Sequence, residues 1–257
     1  MMNNNNSIYT IKLKRKIFTP NQLIKELPLD NKLKLFIEKT KKEIINILNG
    51  TDTRKILIIG PCSIHNIESA KEYSHKLLEL SNRVNDKILI VMRTYFEKPR
   101  SKIGWKGFIN DPFLDNSHDI EHGLKKAREL LLYINRIGLP CGYELLELST
   151  INYIGDLISW CSIGARTSES QIHRQIISSL NIPTGFKNST SGNIDSCISS
   201  VFVVKEEHTF CGISMDNIGE IVITNGNPNC HIILRGSENS SNYHIDNIKK
   251  AKKLMNN

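Results

Sequence analysis

Short apolar runs alternate with longer stretches of helical period along most of the chain. The runs are "RKILIIG" (54–60), "DKILIVMR" (86–93), "PCGYELLEL" (140–148), "SIGARTSES" (162–170), "PTGFKNST" (183–190) and "CHIILRGS" (230–237). Between them, "ESAKEYSHKLLELSNRV", "DIEHGLKKARELLLYINRIG", "INYIGDLISWC", "QIHRQIISSL", "NIDSCISSVFVV" and "HIDNIKKAKKLMNN" predict helices. "TFCGISMDNIGEIVIT" breaks the alternation. Two alternating runs flank a turn near Asp216–Gly219, which predicts an inserted β-hairpin at about 208–224. Upstream, residues 1–50 predict an arm and two helices, broken at Pro28 and stopped at Gly50.

Apolar strands that alternate with amphipathic helices imply a parallel sheet with helices against it, an α/β fold. No G-x-G-x-x-G and no G-x-x-x-x-G-K-[ST] occurs, so neither nucleotide fingerprint is present. What recurs is a polar or charged residue at the C-terminal end of each strand: Cys62, Arg93, Glu144, Arg166, Lys187 and Arg235. In a TIM-type (β/α) barrel those ends meet on one face; an open sheet is the alternative. Six β/α units can be counted, where a closed barrel has eight. The expected organisation is therefore an N-terminal helical extension (1–50) and an incomplete barrel (51–257) carrying the hairpin.

Composition narrows this little. Hydrophobic residues make up 39% and charged residues 23% of the 257 positions, as in an ordinary globular protein. No apolar run is long enough for a membrane span, and the first residues lack the order of a signal peptide, so a cytoplasmic protein without a membrane partner is expected. The net charge of +8 raises the question of nucleic acid. However, 24 of the 34 cations are Lys, many on helical faces, and no basic–aromatic stripe is present; no nucleic-acid partner is expected. The six cysteines form no C-x-x-C pair, which fits neither a zinc framework nor a disulfide scaffold.

The cations at the strand ends carry more information. Arg93, Arg166, Lys187 and Arg235, joined by Lys98 and Arg100, repel one another unless anions occupy the site. Arginine suits bidentate capture of carboxylate or phosphate, and lysine serves as a point charge. Cations from different strands fit a small phosphorylated metabolite better than a polymer. Cys62 reads either as a buried cysteine or as a soft metal ligand. Glu144 reads as a group that orients water or a lysine, or as one that relieves repulsion. Trp105 and Phe96 are expected to wall the pocket, His65 to be structural, and His173 to be a surface or packing residue.

"IGPCSIHN", "VMRTYFEKPRSKIGWKGFINDP", "IGARTSESQIHR", "GFKNSTSGN" and "CHIILRG" closely resemble the short-chain bacterial 3-deoxy-7-phosphoheptulonate synthases, from about residue 7 to 255. The resemblance implies a shikimate-pathway transferase of aromatic amino acid biosynthesis, which condenses phosphoenolpyruvate with erythrose 4-phosphate. It implies that Arg93 and Lys98 hold the phosphoenolpyruvate carboxylate, with Lys98 near enough to handle protons. Arg166, Lys187, Arg235 and the Ala165 N–H would take its phosphate. Arg100 and Ser101 would take the sugar phosphate, with Ser101 where the family has Thr. Glu144 matches a glutamate beside the attacking water, and Cys62 a ligand of a divalent metal such as Mn²⁺ or Fe²⁺. The family's other three ligands (His, Glu and Asp) would lie past the last residue given, so an incomplete metal site in a truncated chain is expected. An inactive remnant that pairs with an intact subunit is the alternative. Ser189, Ser191, Ser237 and Glu147 depart from the family pattern without touching a substrate cation. The hairpin matches the family's aromatic amino acid site, which implies effector contacts at Leu180, Phe210 and Gly212, with Gly212 leaving room for a tyrosine-type effector. A homo-oligomer, dimer or tetramer, is likewise implied.

Overall fold

The computed structural model describes residues 10–100 and 102–255. Six strands form one all-parallel sheet in the order β1 (Lys55–Ile59), β2 (Ile88–Arg93), β3 (Cys141–Leu145), β4 (Trp160–Ile163), β5 (Thr184–Lys187) and β8 (Cys230–Ile233). Each of the first four lies beside the next in sequence. β8 joins β5 after a separate antiparallel hairpin, β6 (Thr209–Ile213) and β7 (Gly219–Ile223), with Asn217 at positive φ in its turn. The sheet is curled as a partial (β/α) barrel with β1 and β8 at its edges.

The helices start and stop where the sequence supplies caps. In α1 (Pro20–Glu26) Thr19 and Gln22 form a capping box, and in α2 (Asn31–Leu48) the Asp30 carboxylate accepts from Leu33 N–H at 2.9 Å. Gly50 takes φ +77° just past α2, as its position predicts. Asn66 and Asp119 cap α3 (Ile67–Val84) and α4 (Ile120–Arg136) in the same way. α6 (Gln171–Ser179), α7 (Asp195–Val203) and α8 (Ile245–Met255) complete the outer layer.

One expected boundary is wrong. "INYIGDLISWC" reads as one helix, but α5 covers only Ile151–Ile154, a 3-10 turn follows at Gly155–Leu157, and β4 begins at Trp160. A fully buried strand has no polar alternation, so its apolar residues continue the preceding helical spacing and hide the junction.

Two apolar layers result from strand parity. Ile90, Met92, Cys141, Tyr143, Cys161, Ile163 and Phe186 face the helices and pack with residues such as Leu124, Leu131 and Ile177. The alternate residues Leu89, Val91 and Trp160 form a second cluster inside the curl, closed by Ile44 of α2 and flanked by Ile56, Ile58 and Ile233. Glycines make room there. A Cβ on Gly142 would stand 3.2 Å from Trp160, and one on Gly185 would stand 2.6 Å from Ile233 and 2.8 Å from His231.

The N-terminal segment is fastened by a buried cation. Arg128, fully buried, donates to Leu27 C=O at 2.9 Å, to Tyr153 C=O at 2.8 Å, and to both Asp156 carboxylate oxygens at 2.6 and 2.8 Å. Asn21 reaches the hairpin turn, with its N–H on Met215 C=O at 3.1 Å and its amide on Asp216 at 2.9 Å.

Candidate functional site

The parity that fills the curl also builds its rim. Arg93, Glu144 and Lys187 share the inward face of Val91, Gly142 and Gly185, one step further along their strands. Arg235 follows Ile233 in the same sense. At the C-terminal ends they form a cleft of about 300 Å³ with Cys62, Lys98, Arg100, Ala165 and Arg166. The structure thus brings together every sequence-predicted rim residue that it describes; Ser101 lies outside the described residues. Arg166, Arg100 and Arg235 are exposed, and Arg93, Lys98 and Lys187 are half-buried.

Glu144 is a buried acid of this rim, and it accepts from Lys187 Nζ at 2.6 Å. A Cβ on Gly164 would stand 3.1 Å from Glu144 Oε1, so a glycine just after β4 leaves that carboxylate its place. Tyr95 lies beneath. The Arg93 guanidinium stacks 4.0 Å over its ring, Lys187 Nζ lies 5.5 Å away, and its hydroxyl shares a 2.8 Å hydrogen bond with Ser162. Burial pushes the Tyr95 phenol well above its usual range, which keeps it neutral.

Cys62 is exposed in the same cleft, which removes the buried-cysteine reading. Lys98 Nζ donates to its Sγ at 2.8 Å, and Arg93 donates to its carbonyl at 3.1 Å. The Lys98 hydrogen bond, aided by the charges of Lys98, Arg93 and Arg100, holds the thiol below its usual range against the opposing effect of burial. That is the electronic character of a metal ligand. One thiolate does not hold a divalent ion, however, and among the described residues no group of three or more His, Cys, Asp and Glu could do so. The described residues therefore do not fit a complete metal centre.

The loop after β2 is closed at its base. Lys98 N–H donates to Lys106 C=O at 2.8 Å, and Glu97 and Gly107 form an antiparallel bridge. Gly107 has φ +117°, and a Cβ there would lie 2.2 Å from Phe96 C=O, so only glycine fits. Arg100 Nε bonds Trp105 C=O at 2.8 Å, and the Trp105 indole donates to Asp111 C=O at 2.8 Å. Phe96 and Trp105 do not wall the cleft as expected: Phe96 is fully buried in the main core, and Trp105 packs against that core and braces the loop. His173 is a packing residue, 8% exposed and bonded to Ser170 and Leu146.

Two positions that shape the cleft escaped sequence reasoning. Asn188, fully buried, bonds Gly236 C=O at 3.0 Å, while its oxygen accepts from Arg235 N–H at 2.8 Å and from Asn242 at 3.0 Å. It ties the loop after β5 to the loop after β8, and so sets Arg235 beside Lys187. The other is Glu97, a buried acid in a basic segment, whose partners lie more than forty residues away. Its only local signal is its solitary sign among five cations.

A second cavity, about 800 Å³, lies under the hairpin and contains Leu180, Phe210 and Gly212 together with Ile151, Ile176 and Val222. The three residues assigned to an effector are thus neighbours. No helix among the described residues is long and apolar enough to cross a membrane.

Comparison with known proteins agrees with this architecture. The Trp-sensitive phospho-2-dehydro-3-deoxyheptonate aldolase of Escherichia coli K12 is 44% identical over 252 residues, covering 97% of this chain and 71% of that protein. The Phe-sensitive enzyme of the same strain is 44% identical over 255 residues, covering 99% and 73%. The structure of phospho-2-dehydro-3-deoxyheptonate aldolase from Francisella tularensis SCHU S4 superposes with a TM-score of 0.94 at 41% identity, over 96% of this chain and 72% of that one. Residues 26–257 match the DAHP synthetase I family model, and on these grounds the chain belongs to the DAHP synthetase I family.

Proposed function

We propose that the chain is a transferase that condenses phosphoenolpyruvate with erythrose 4-phosphate to give 3-deoxy-arabino-heptulosonate 7-phosphate and inorganic phosphate. Family membership supports the reaction. The observation that carries it to this pocket is the convergence of Arg93, Lys98, Arg166, Lys187 and Arg235 on one small cleft. Such a set binds a compact anion with two charged ends. Arg93 and Lys98 take the carboxylate, and Arg166, Lys187, Arg235 and the Ala165 N–H take the phosphate. Arg100, exposed in the cleft, takes the phosphate of the sugar, a role that Ser101, next in the sequence, would share. Glu144, held by Lys187, keeps a second carboxylate oxygen for the attacking water, and Lys98 serves as the proton carrier.

A divalent metal would polarise the aldehyde, and Cys62 would be one of its ligands, although the described residues do not complete such a centre. The cavity under the hairpin suits an aromatic amino acid, in keeping with relatives named Trp-sensitive and Phe-sensitive. The experiment is calorimetric titration of phosphoenolpyruvate, followed by a phosphate-release assay with erythrose 4-phosphate and Mn²⁺. Saturable binding and release that depends on both substrates are expected. No binding of phosphoenolpyruvate overturns the reading. Binding without turnover favours the alternative, a chain that keeps the anion pocket and works beside an intact subunit.

A further inference from the structure

Tyr95 lines the floor of the cleft, yet it offers no charge to an anion. It is 4% exposed, and it reaches four parts of the curl. Its backbone carbonyl accepts from Ile64 N–H at 2.8 Å, which holds the loop after β1. Its ring lies beneath Arg93 from β2, with the guanidinium 4.0 Å from the centroid, and beneath Lys187 from β5, with Nζ at 5.5 Å. Its hydroxyl shares the 2.8 Å hydrogen bond with Ser162, a fully buried residue of β4. One side chain thus underlies a cation from each end of the proposed substrate, Arg93 at the carboxylate and Lys187 at the phosphate.

Arg93 has little else to set its tilt. Among the described residues its guanidinium donates to Cys62 C=O at 3.1 Å, while its buried Nε has no hydrogen-bond partner. Lys187 is held by Glu144 at 2.6 Å, and its flexible stem lets the ammonium pivot about that point. The negative face of an aromatic ring attracts a cation placed over it. Burial keeps the Tyr95 phenol neutral, so that pull comes from the ring face and not from a phenolate. Close packing and the Ser162 bond together hold the ring in place.

We propose that Tyr95 is a positioning residue that sets the span between Arg93 and Lys187, and so selects anions by the separation of carboxylate and phosphate. The inference rests on the reading of the cleft as a phosphoenolpyruvate site. Phosphoenolpyruvate and phosphoglycolate each place one carbon between the carboxylate and the ester oxygen; 3-phosphoglycerate places two. Cations seated on a fixed ring match the shorter span. Cations released from it repel one another, splay apart and accept either length.

The experiment is calorimetric titration of phosphoglycolate and 3-phosphoglycerate into the full chain and into its Tyr95→Met and Tyr95→Phe variants. Methionine fills the buried space without a ring face, whereas phenylalanine keeps the face. The wild type should bind phosphoglycolate about 10-fold or more tighter than 3-phosphoglycerate, since the longer ligand misaligns one charge-assisted contact. In Tyr95→Met phosphoglycolate should bind about 5- to 50-fold more weakly, and the two ligands should come within about threefold of each other. In Tyr95→Phe the preference should stay within about threefold of wild type, because the ring face remains. A loss of packing alone would weaken both ligands alike and leave their ratio unchanged, so the ratio separates positioning from structure. If Tyr95→Met fails to fold, Tyr95→Leu takes its place, and the phenylalanine variant decides if both fail. A preference retained without the ring, a preference lost in Tyr95→Phe, or a wild type that binds both ligands equally overturns the inference. A wild type that binds neither phosphoglycolate nor phosphoenolpyruvate refutes the reading of the cleft itself, and the inference falls with it.

Discussion

Single residues decide how strongly the cleft holds an anion. Arg235 and Lys187 each offer a charge-assisted hydrogen bond of roughly 1.5–3 kcal/mol. Arg235→Ala should therefore weaken phosphoenolpyruvate binding by about 10- to 100-fold in calorimetry, with the thermal midpoint unchanged, since the side chain is exposed. Gly164→Ala should lower turnover more than affinity, because the added Cβ presses on Glu144 and not on a rim cation. Glu97 also sets a pH dependence of stability. Its folded value, about 7, lies above its ordinary value of 4.5, so the fold binds the extra proton between them. Its contribution is full below about 4.5 and declines as pH rises to about 7, by roughly 3 kcal/mol in all. His231 acts in the opposite sense: burial lowers it from 6.5 to about 4, so its contribution is lost as pH falls through that window. The difference in unfolding free energy between wild type and Glu97→Gln, measured by denaturant titration from pH 4.5 to 7.5, isolates the first effect and should follow that slope.

At the scale of elements, the inner layer of the curl tolerates little added volume. Gly185→Ala sets a methyl within 3 Å of Ile233 and His231, and should cost about 1–3 kcal/mol in denaturant unfolding by overpacking. The same scale shows what the sequence could reveal. Five strands and the hairpin were legible, because β-branched runs, glycine stops and caps such as Asp30 and Asn66 act over a few residues. The rim was legible for a related reason, since a charge at the end of an apolar run has few other places to go. The α5–β4 junction was not, because burial on both sides erases the polar punctuation around Trp160. Glu97 and Asn188 were also hidden: each owes its importance to partners brought near by the fold, such as Tyr143, Thr150 and Arg235.

For the molecule as a whole, β1 and β8 each have one strand neighbour among the described residues, and Leu57 and Ile59 on β1 are exposed. Unpaired edges with apolar side chains invite association. Light scattering should show concentration-dependent self-association of the 257-residue chain, reduced by Ile59→Lys with phosphoenolpyruvate affinity kept. The strand order has a further consequence, for the time course of synthesis. A chain made from its N-terminus presents β1, then β2, β3, β4 and β5, each able to dock on the edge left by the one before. Only β8 must wait, since the hairpin is made first and can close on itself. Among the described rim residues, Arg235 and the Asn188 clamp are thus the last to arrive, after the cations of the earlier strands are in place.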